Sequence, residues 1–176
     1  TMAAYSMWYV IIVYDWFLYT GHLDWVKAQA DYLKGLSDQL SEHIDSEGKD
    51  TVTQGRFLDW PSNDNPVVTD AGVQAIHYLA ADSLEKLFEA LGEKEYAERC
   101  AEDKKRLVRY ETDYQEAKQA AALLVLAGLK DADKVNEELL RKNGAAGMST
   151  FMGYYILAAR AAAGDYTGCL ESIREY

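Results

Sequence analysis

Asp59 and Trp60 are adjacent in this 176-residue chain, and together they suit a sugar site. An indole face packs on the C–H patch of a pyranose, while a neighbouring carboxylate accepts hydrogen bonds from hydroxyls. The same pair also has a structural reading, with the tryptophan plugging a surface and Asp59 capping a turn. Tyr5 and Trp8 lie three apart near the start of the chain, a spacing that places them on one helix face. Asp15 follows in the same apolar stretch, where an unpartnered carboxylate is costly to bury. Phe151 and Tyr154 form a second pair at helical spacing, just after Ser149 and Thr150, either of which is a good N-cap. Glu111-Thr112-Asp113 precedes an alanine-rich run and reads as capping with dipole complementarity.

Other chemistries find little support. His22, His43 and His77 are scattered without ligand spacing, so neither a metal nor a cofactor is expected. No nucleophile elbow, P-loop or dinucleotide fingerprint occurs. Cys100 and Cys169 are isolated and read as buried or half-buried thiols. Eighteen basic residues against 29 acidic ones leave a charge of −11. That balance disfavours nucleic acid and anionic membranes as partners. No apolar run approaches the roughly 18 residues of a spanning helix, and no signal peptide is visible at the start of the sequence.

Long helices must position these groups, since the chain has only two prolines. Apolar periodicity predicts helices over about 5–19, 23–44, 69–91, 94–110, 116–129, 131–142, 150–163 and 166–176. Helices buried on most sides alternate with amphipathic ones, and Gly21, Gly92, Gly128 and Gly164 close the buried set. The last three recur every 36 residues, a helical-hairpin repeat. The segment 46–66 breaks the pattern, with two short β-like runs, a turn-rich stretch and Pro61 and Pro66. A long insertion of this kind commonly carries function. Unequal polarity of alternate helices, the missing tetratricopeptide pattern and the position of the insertion favour a toroid over an open solenoid. The expected architecture is all-α: about four consecutive antiparallel hairpins forming part of an (α/α)6 toroid across 1–176, with a short β-like hairpin inserted around 46–66.

The segment Tyr5-Ser6-Met7-Trp8-Tyr9-Val10, continuing to Tyr14-Asp15 and Leu18-Tyr19-Thr20-Gly21, resembles an inner helix of the bacterial α-L-rhamnosidases. Those enzymes have (α/α)6-barrel catalytic domains of the family 78 glycoside hydrolase type. Phe57-Leu58-Asp59-Trp60 resembles that family's Gly-Asp-Trp or Leu-Asp-Trp loop, whose tryptophan lines the rhamnose pocket. Ser149-Thr150-Phe151-Met152-Gly153-Tyr154-Tyr155, then Gly164, Cys169-Leu170 and Ile173-Arg174-Glu175-Tyr176, is similar to the hairpin before the family's last barrel helices.

The resemblance implies hydrolysis of terminal α-L-rhamnosyl bonds with inversion, on a rhamnose-containing oligosaccharide or glycoside, in the periplasm or outside the cell. It implies that Trp60 stacks on the sugar, that Asp59 binds a hydroxyl or steadies the loop, and that Tyr5, Trp8, Phe151 and Tyr154 complete an apolar wall. The family's general acid belongs to an acidic motif upstream of this region. Its general base belongs to a Gly-x-Thr-x-x-Trp-Glu-like segment downstream, and neither motif occurs here. Inverting hydrolysis needs two carboxylates about 6.5–9.5 Å apart, so no catalytic residue is assigned and negligible turnover is expected from this chain alone. A helical-repeat interaction module is the alternative from another class. A second alternative is another (α/α)6 carbohydrate enzyme, such as an uronyl hydrolase or a trehalase-like glycosidase. Open barrel edges would favour a homo-oligomer.

Overall fold

The computed structural model describes residues 3–176, which form helices and loops with no strand among them. In chain order the helices are α1 (Ala3–Thr20), α2 (Leu23–Ala28), α3 (Ala30–Glu42), α4 (Pro66–Leu91), α5 (Lys94–Leu107), α6 (Lys118–Leu126), α7 (Ala132–Val135), α8 (Thr150–Ala162) and α9 (Tyr166–Glu175). A 3-10 turn at Trp60–Ser62 precedes α4, and a π-helical turn at Asn136–Leu140 continues α7.

The recurring glycines act as the spacing predicts. Gly92, Gly128 and Gly164 have φ of +76°, +70° and +72°, a conformation that costs glycine little. Beyond each, the next backbone N–H turns back to a carbonyl five residues earlier: Glu93 to Phe88, Leu129 to Leu124 and Asp165 to Arg160. The same Schellman-type stop is thus built three times, satisfying carbonyls that the helix end would leave bare.

Two compact units result. The first comprises the chain through Arg56 together with Ile76–Glu111, and the second comprises Phe57–Ala75 with Thr112–Tyr176. Helix α4 passes from one unit into the other between Ala75 and Ile76.

In the first unit α3 packs against α5. Its core includes Met7, Val10, Leu33, Leu40, Ile76, Leu84, Phe88 and Leu107. Ion pairs from Lys34 to Glu93 (2.8 Å) and from Arg99 to Asp38 (2.8 Å) tie the polar sides of these helices. In the second unit α6 packs on α8, and every residue from Lys118 to Val125 is buried. Alanines at 120–122 give this helix the slim profile that burial on all sides requires.

Four expectations need correction. The segment 46–66 holds no β-hairpin: a single antiparallel bridge joins Ile44 to Asp50, and irregular turns follow. The runs 51–53 and 56–58 are too short to form a ladder. Backbone carbonyls there are met instead by the Arg56 guanidinium, which donates to Val52 O at 2.8 Å. Residues 23–44 do not form one helix, because Gln29 donates its N–H three residues back to Val26 O and separates α2 from α3. Residues 131–142 form a short α-helix and a π turn, closed by Arg141 N–H to Asn136 O at 3.2 Å. Finally, α1 is not buried on most sides. It buries Met7, Trp8, Val10, Ile11 and Val13 but leaves Tyr5, Ile12, Leu18 and Tyr19 exposed. Among the described residues no helix is long and apolar enough to cross a membrane.

Candidate functional site

In the second unit a short loop carries Trp60 into α4. Leu58 anchors it: its side chain is fully buried beside Gly72, where a Cβ would lie 2.5 Å from both Leu58 methyl carbons. Asp59 comes next, in extended conformation, and N-caps the 3-10 turn. Its Oδ1 accepts from Trp60 N–H at 2.9 Å, and its Oδ2 accepts from Ser149 Oγ at 2.6 Å. Both oxygens are committed within the protein and Asp59 is only 4% exposed. Of the two roles expected for Asp59, its geometry fits steadying the loop.

Trp60 is 81% exposed. Its ring meets Phe57 edge-on at 5.2 Å, leaving most of the indole in solvent. Pro61 stiffens the turn, Thr69 Oγ1 donates to Ser62 O at 3.1 Å, and Asn65 Oδ1 accepts from Val67 N–H and Val68 N–H at the start of α4. An exposed indole on a loop pinned at four points is an unusual use of a large apolar side chain.

Ser149 has two tasks. While donating to Asp59 it accepts from Met152 N–H at 3.2 Å, so it N-caps α8 as the sequence suggested. Phe151 and Tyr154, near the start of α8, are both exposed. They flank Tyr155, with ring centroids 5.8 and 5.1 Å away. The loop and the start of α8 are therefore joined through Asp59 and Ser149.

Tyr5 and Trp8 belong to the first unit, and they do not share an open face. Tyr5 is exposed, whereas Trp8 is 5% exposed and belongs to the core side of α1. Burial raises the Asp15 carboxyl above its ordinary value, yet the residue stays in contact with solvent. Asp113 does not cap the alanine-rich helix either. It accepts from Gln115 N–H at 2.8 Å in a loop turn, and α6 begins at Lys118 with no side-chain cap.

Sequence reasoning missed two clusters. In the first unit, Asp50 and His77 are both fully buried, with His77 Nδ1 2.6 Å from Asp50 Oδ2 and Arg56 on the other carboxylate oxygen. This network fastens the 45–56 loop to α4. An Asp–His pair is a general-base arrangement elsewhere, but at 1% exposure no substrate reaches it. The signal was His77 itself, the one imidazole of α4, set between apolar Ile76 and Leu79 with Tyr78.

The second cluster lines an open groove of about 960 Å³ beside the Trp60 turn, bordered by Pro61 and Ser62. Lys118, Gln119, Gln115, Glu138 and Lys142 supply much of its polar wall. Lys118 Nζ donates to Lys142 O at 2.6 Å and Gly144 O at 2.9 Å, and Gln119 Nε2 donates to Gly147 O at 2.8 Å. Burial first, and the nearby charge of Arg160 second, hold the Lys118 ammonium below the usual lysine range. Two long polar residues opening a helix buried on every side were the available clue. Among the described residues, no group of three metal-ligating side chains converges. In comparisons with known proteins the chain matches no protein-family model, no curated protein and no solved structure.

Proposed function

We propose that this chain is part of an (α/α)6-barrel glycoside hydrolase of the α-L-rhamnosidase type, supplying carbohydrate-binding surface rather than the catalytic carboxylates. The observation that carries the reading is Trp60: an indole 81% exposed on a loop anchored by a buried aspartate. Leaving so large an apolar face in water gains nothing for folding, whereas it suits stacking on a pyranose. In this reading Trp60 stacks on a rhamnosyl unit and Asp59 holds the loop at a fixed height. Phe151 and Tyr154, in the same unit, extend the apolar surface.

The test is fluorescence titration with L-rhamnose. Quenching or a spectral shift in the wild type that disappears in Trp60→Ala supports the reading. The absence of any sugar-dependent signal in the wild type overturns it. Hydrolysis of an aryl α-L-rhamnoside by the purified chain at an enzyme's rate would overturn the assignment of a binding surface without catalysis.

A second reading has its own support. Tyr166, Leu170 and Ile173 fall on one face of α9 at helical spacing and are all exposed, as are Ile12 and Tyr19 on α1. Apolar faces of this kind favour association, which is what a protein-interaction module or a homo-oligomer would use. Sedimentation distinguishes the two readings: a clean monomer at high concentration counts against self-association and leaves the sugar reading intact.

A further inference from the structure

Lys118 is 6% exposed, and its ammonium is held by two backbone carbonyls rather than by a carboxylate. Carbonyl dipoles solvate a buried cation without neutralising it, and an ion in such a place is costly unless a counter-charge arrives. Two of the three N–H groups of the ammonium are spent on Lys142 O and Gly144 O, which leaves one. Lys118 lines the groove beside the Trp60 turn. The other charged groups of that groove, Glu116, Glu138 and Lys142, are all exposed, so solvent and salt screen them. Glu175, outside the groove lining, also acts on Lys118, but it too is exposed, so at depth the groove carries one buried positive charge with no ion-pair partner among the described residues.

Its neutral groups suit hydroxyls. Gln119 Oε1 and Gln115 Nε2 have no protein partner among the described residues, the other end of each amide being used by Gly147 O and by Asn65 Nδ2. One offers an acceptor and the other a donor. A volume of about 960 Å³ exceeds what one hexose fills, at the upper end of small-ligand sites.

We propose that this groove binds an acidic sugar, a hexuronate unit within an oligosaccharide, with its carboxylate on Lys118 and its hydroxyls on the amides of Gln115 and Gln119. A single carboxylate matches the single buried charge. A phosphate dianion would exceed it and meet Glu116 and Glu138 as well. The proposal rests on the carbohydrate reading of the Trp60 region and names the class of saccharide it takes.

The experiment is calorimetric titration of the full chain with sodium D-glucuronate, with methyl D-glucoside as the neutral sugar and sodium acetate as the bare carboxylate. Glucuronate should bind at least ten-fold more tightly than either control. Lys118→Met should abolish that preference without weakening the neutral sugar, and Lys118→Arg should keep it. Because Lys118→Met also strips a donor from two carbonyls, backbone amide shifts of Lys118 and Gln119 in the wild type, followed by NMR during the same titration, give the answer if that variant fails to fold. Equal binding of glucuronate and glucoside, or a preference that survives in Lys118→Met, overturns the proposal and leaves the carbohydrate reading standing. Acetate binding as tightly as glucuronate marks a plain anion site and overturns the saccharide assignment. Silence toward every sugar, L-rhamnose included, overturns both.

Discussion

Removing the Ser149 hydroxyl tests whether Asp59 positions Trp60 through a buried hydrogen bond. Ser149→Ala deletes two interactions at once. The first is the 2.6 Å bond to Asp59 Oδ2, made to a 4% exposed carboxylate, for which about 1.5–3 kcal/mol is typical. The second is the N-cap to Met152 N–H, commonly worth about 1 kcal/mol. Together they predict a loss of about 2.5–4 kcal/mol, or about 5–15 °C in Tm for a chain of this length. Ser149→Thr keeps the hydroxyl and should recover most of it. Guanidinium unfolding followed by circular dichroism reads the stability. A double-mutant cycle with Asp59→Asn isolates the shared bond, since coupled neighbours deviate from additivity by about 0.5–3 kcal/mol. A Ser149→Ala loss under about 0.5 kcal/mol, the range of an ordinary surface change, or additive single mutants, would refute the idea that this bond holds the loop.

Three further outcomes follow from other parts of the chain. Gly48 has φ +86°, and a Cβ there would lie 2.0 Å from Arg106 O, so Gly48→Ala should destabilise by at least about 2 kcal/mol in urea unfolding. Burial pushes the Cys100 thiol up to about 11, while Cys169 is raised less and is only half-buried. An aromatic disulfide reagent near pH 8 should therefore label Cys169 first, with Cys100 reacting only on denaturation, as mass spectrometry would show. Burial alone would raise Asp165, but hydrogen bonds from Arg160 and Asn136, with the charge of Arg160, outweigh it and hold the carboxyl below its usual 3.8. A carboxyl depressed by folding stabilises above its unfolded value and loses that contribution as pH falls through its folded one. Asp165→Asn should thus be less stable than wild type at neutral pH, with the gap closing below about pH 4 in pH-stepped thermal melts.

Helix positions were legible because they depend on local signals. A positive-φ glycine after an apolar run specifies the same stop at Gly92, Gly128 and Gly164 wherever those helices later pack. The break at Gln29 and the π turn at Asn136 were not legible, because the residues there have ordinary helix propensities and tertiary packing decides. At the site, Trp60 was visible as a type of residue in a type of loop, while the role of Asp59 depended on Ser149, ninety positions away. The open face of α1 escaped for a related reason. Its composition reads as buried, but burial depends on neighbours that periodicity does not count. Lys118 was passed over because a lysine at a helix start reads as surface, and its carbonyl partners, Lys142 and Gly144, lie more than twenty positions further on.

The buried charges show how the structure separates support from recognition. Asp50, Asp103 and Arg160 are each paired with an opposite charge, Arg56, Arg106 and Asp165 respectively. Asp59 and Lys118 are buried without an ion-pair partner among the described residues, and both lie in the unit that carries Trp60. They differ in what remains. Asp59 has both oxygens filled by short hydrogen bonds and faces Ser149, so its charge is spent on holding the loop. Lys118 keeps one N–H uncommitted beside an open groove. In a low-dielectric site an incoming opposite charge gains far more than it would at the screened rim. The chain's net charge of −11 opposes the approach of an anion at long range. Added salt should therefore raise the association rate of glucuronate while leaving the enclosed contact with Lys118 nearly intact. A rate that falls with salt would place the binding charge at the surface instead.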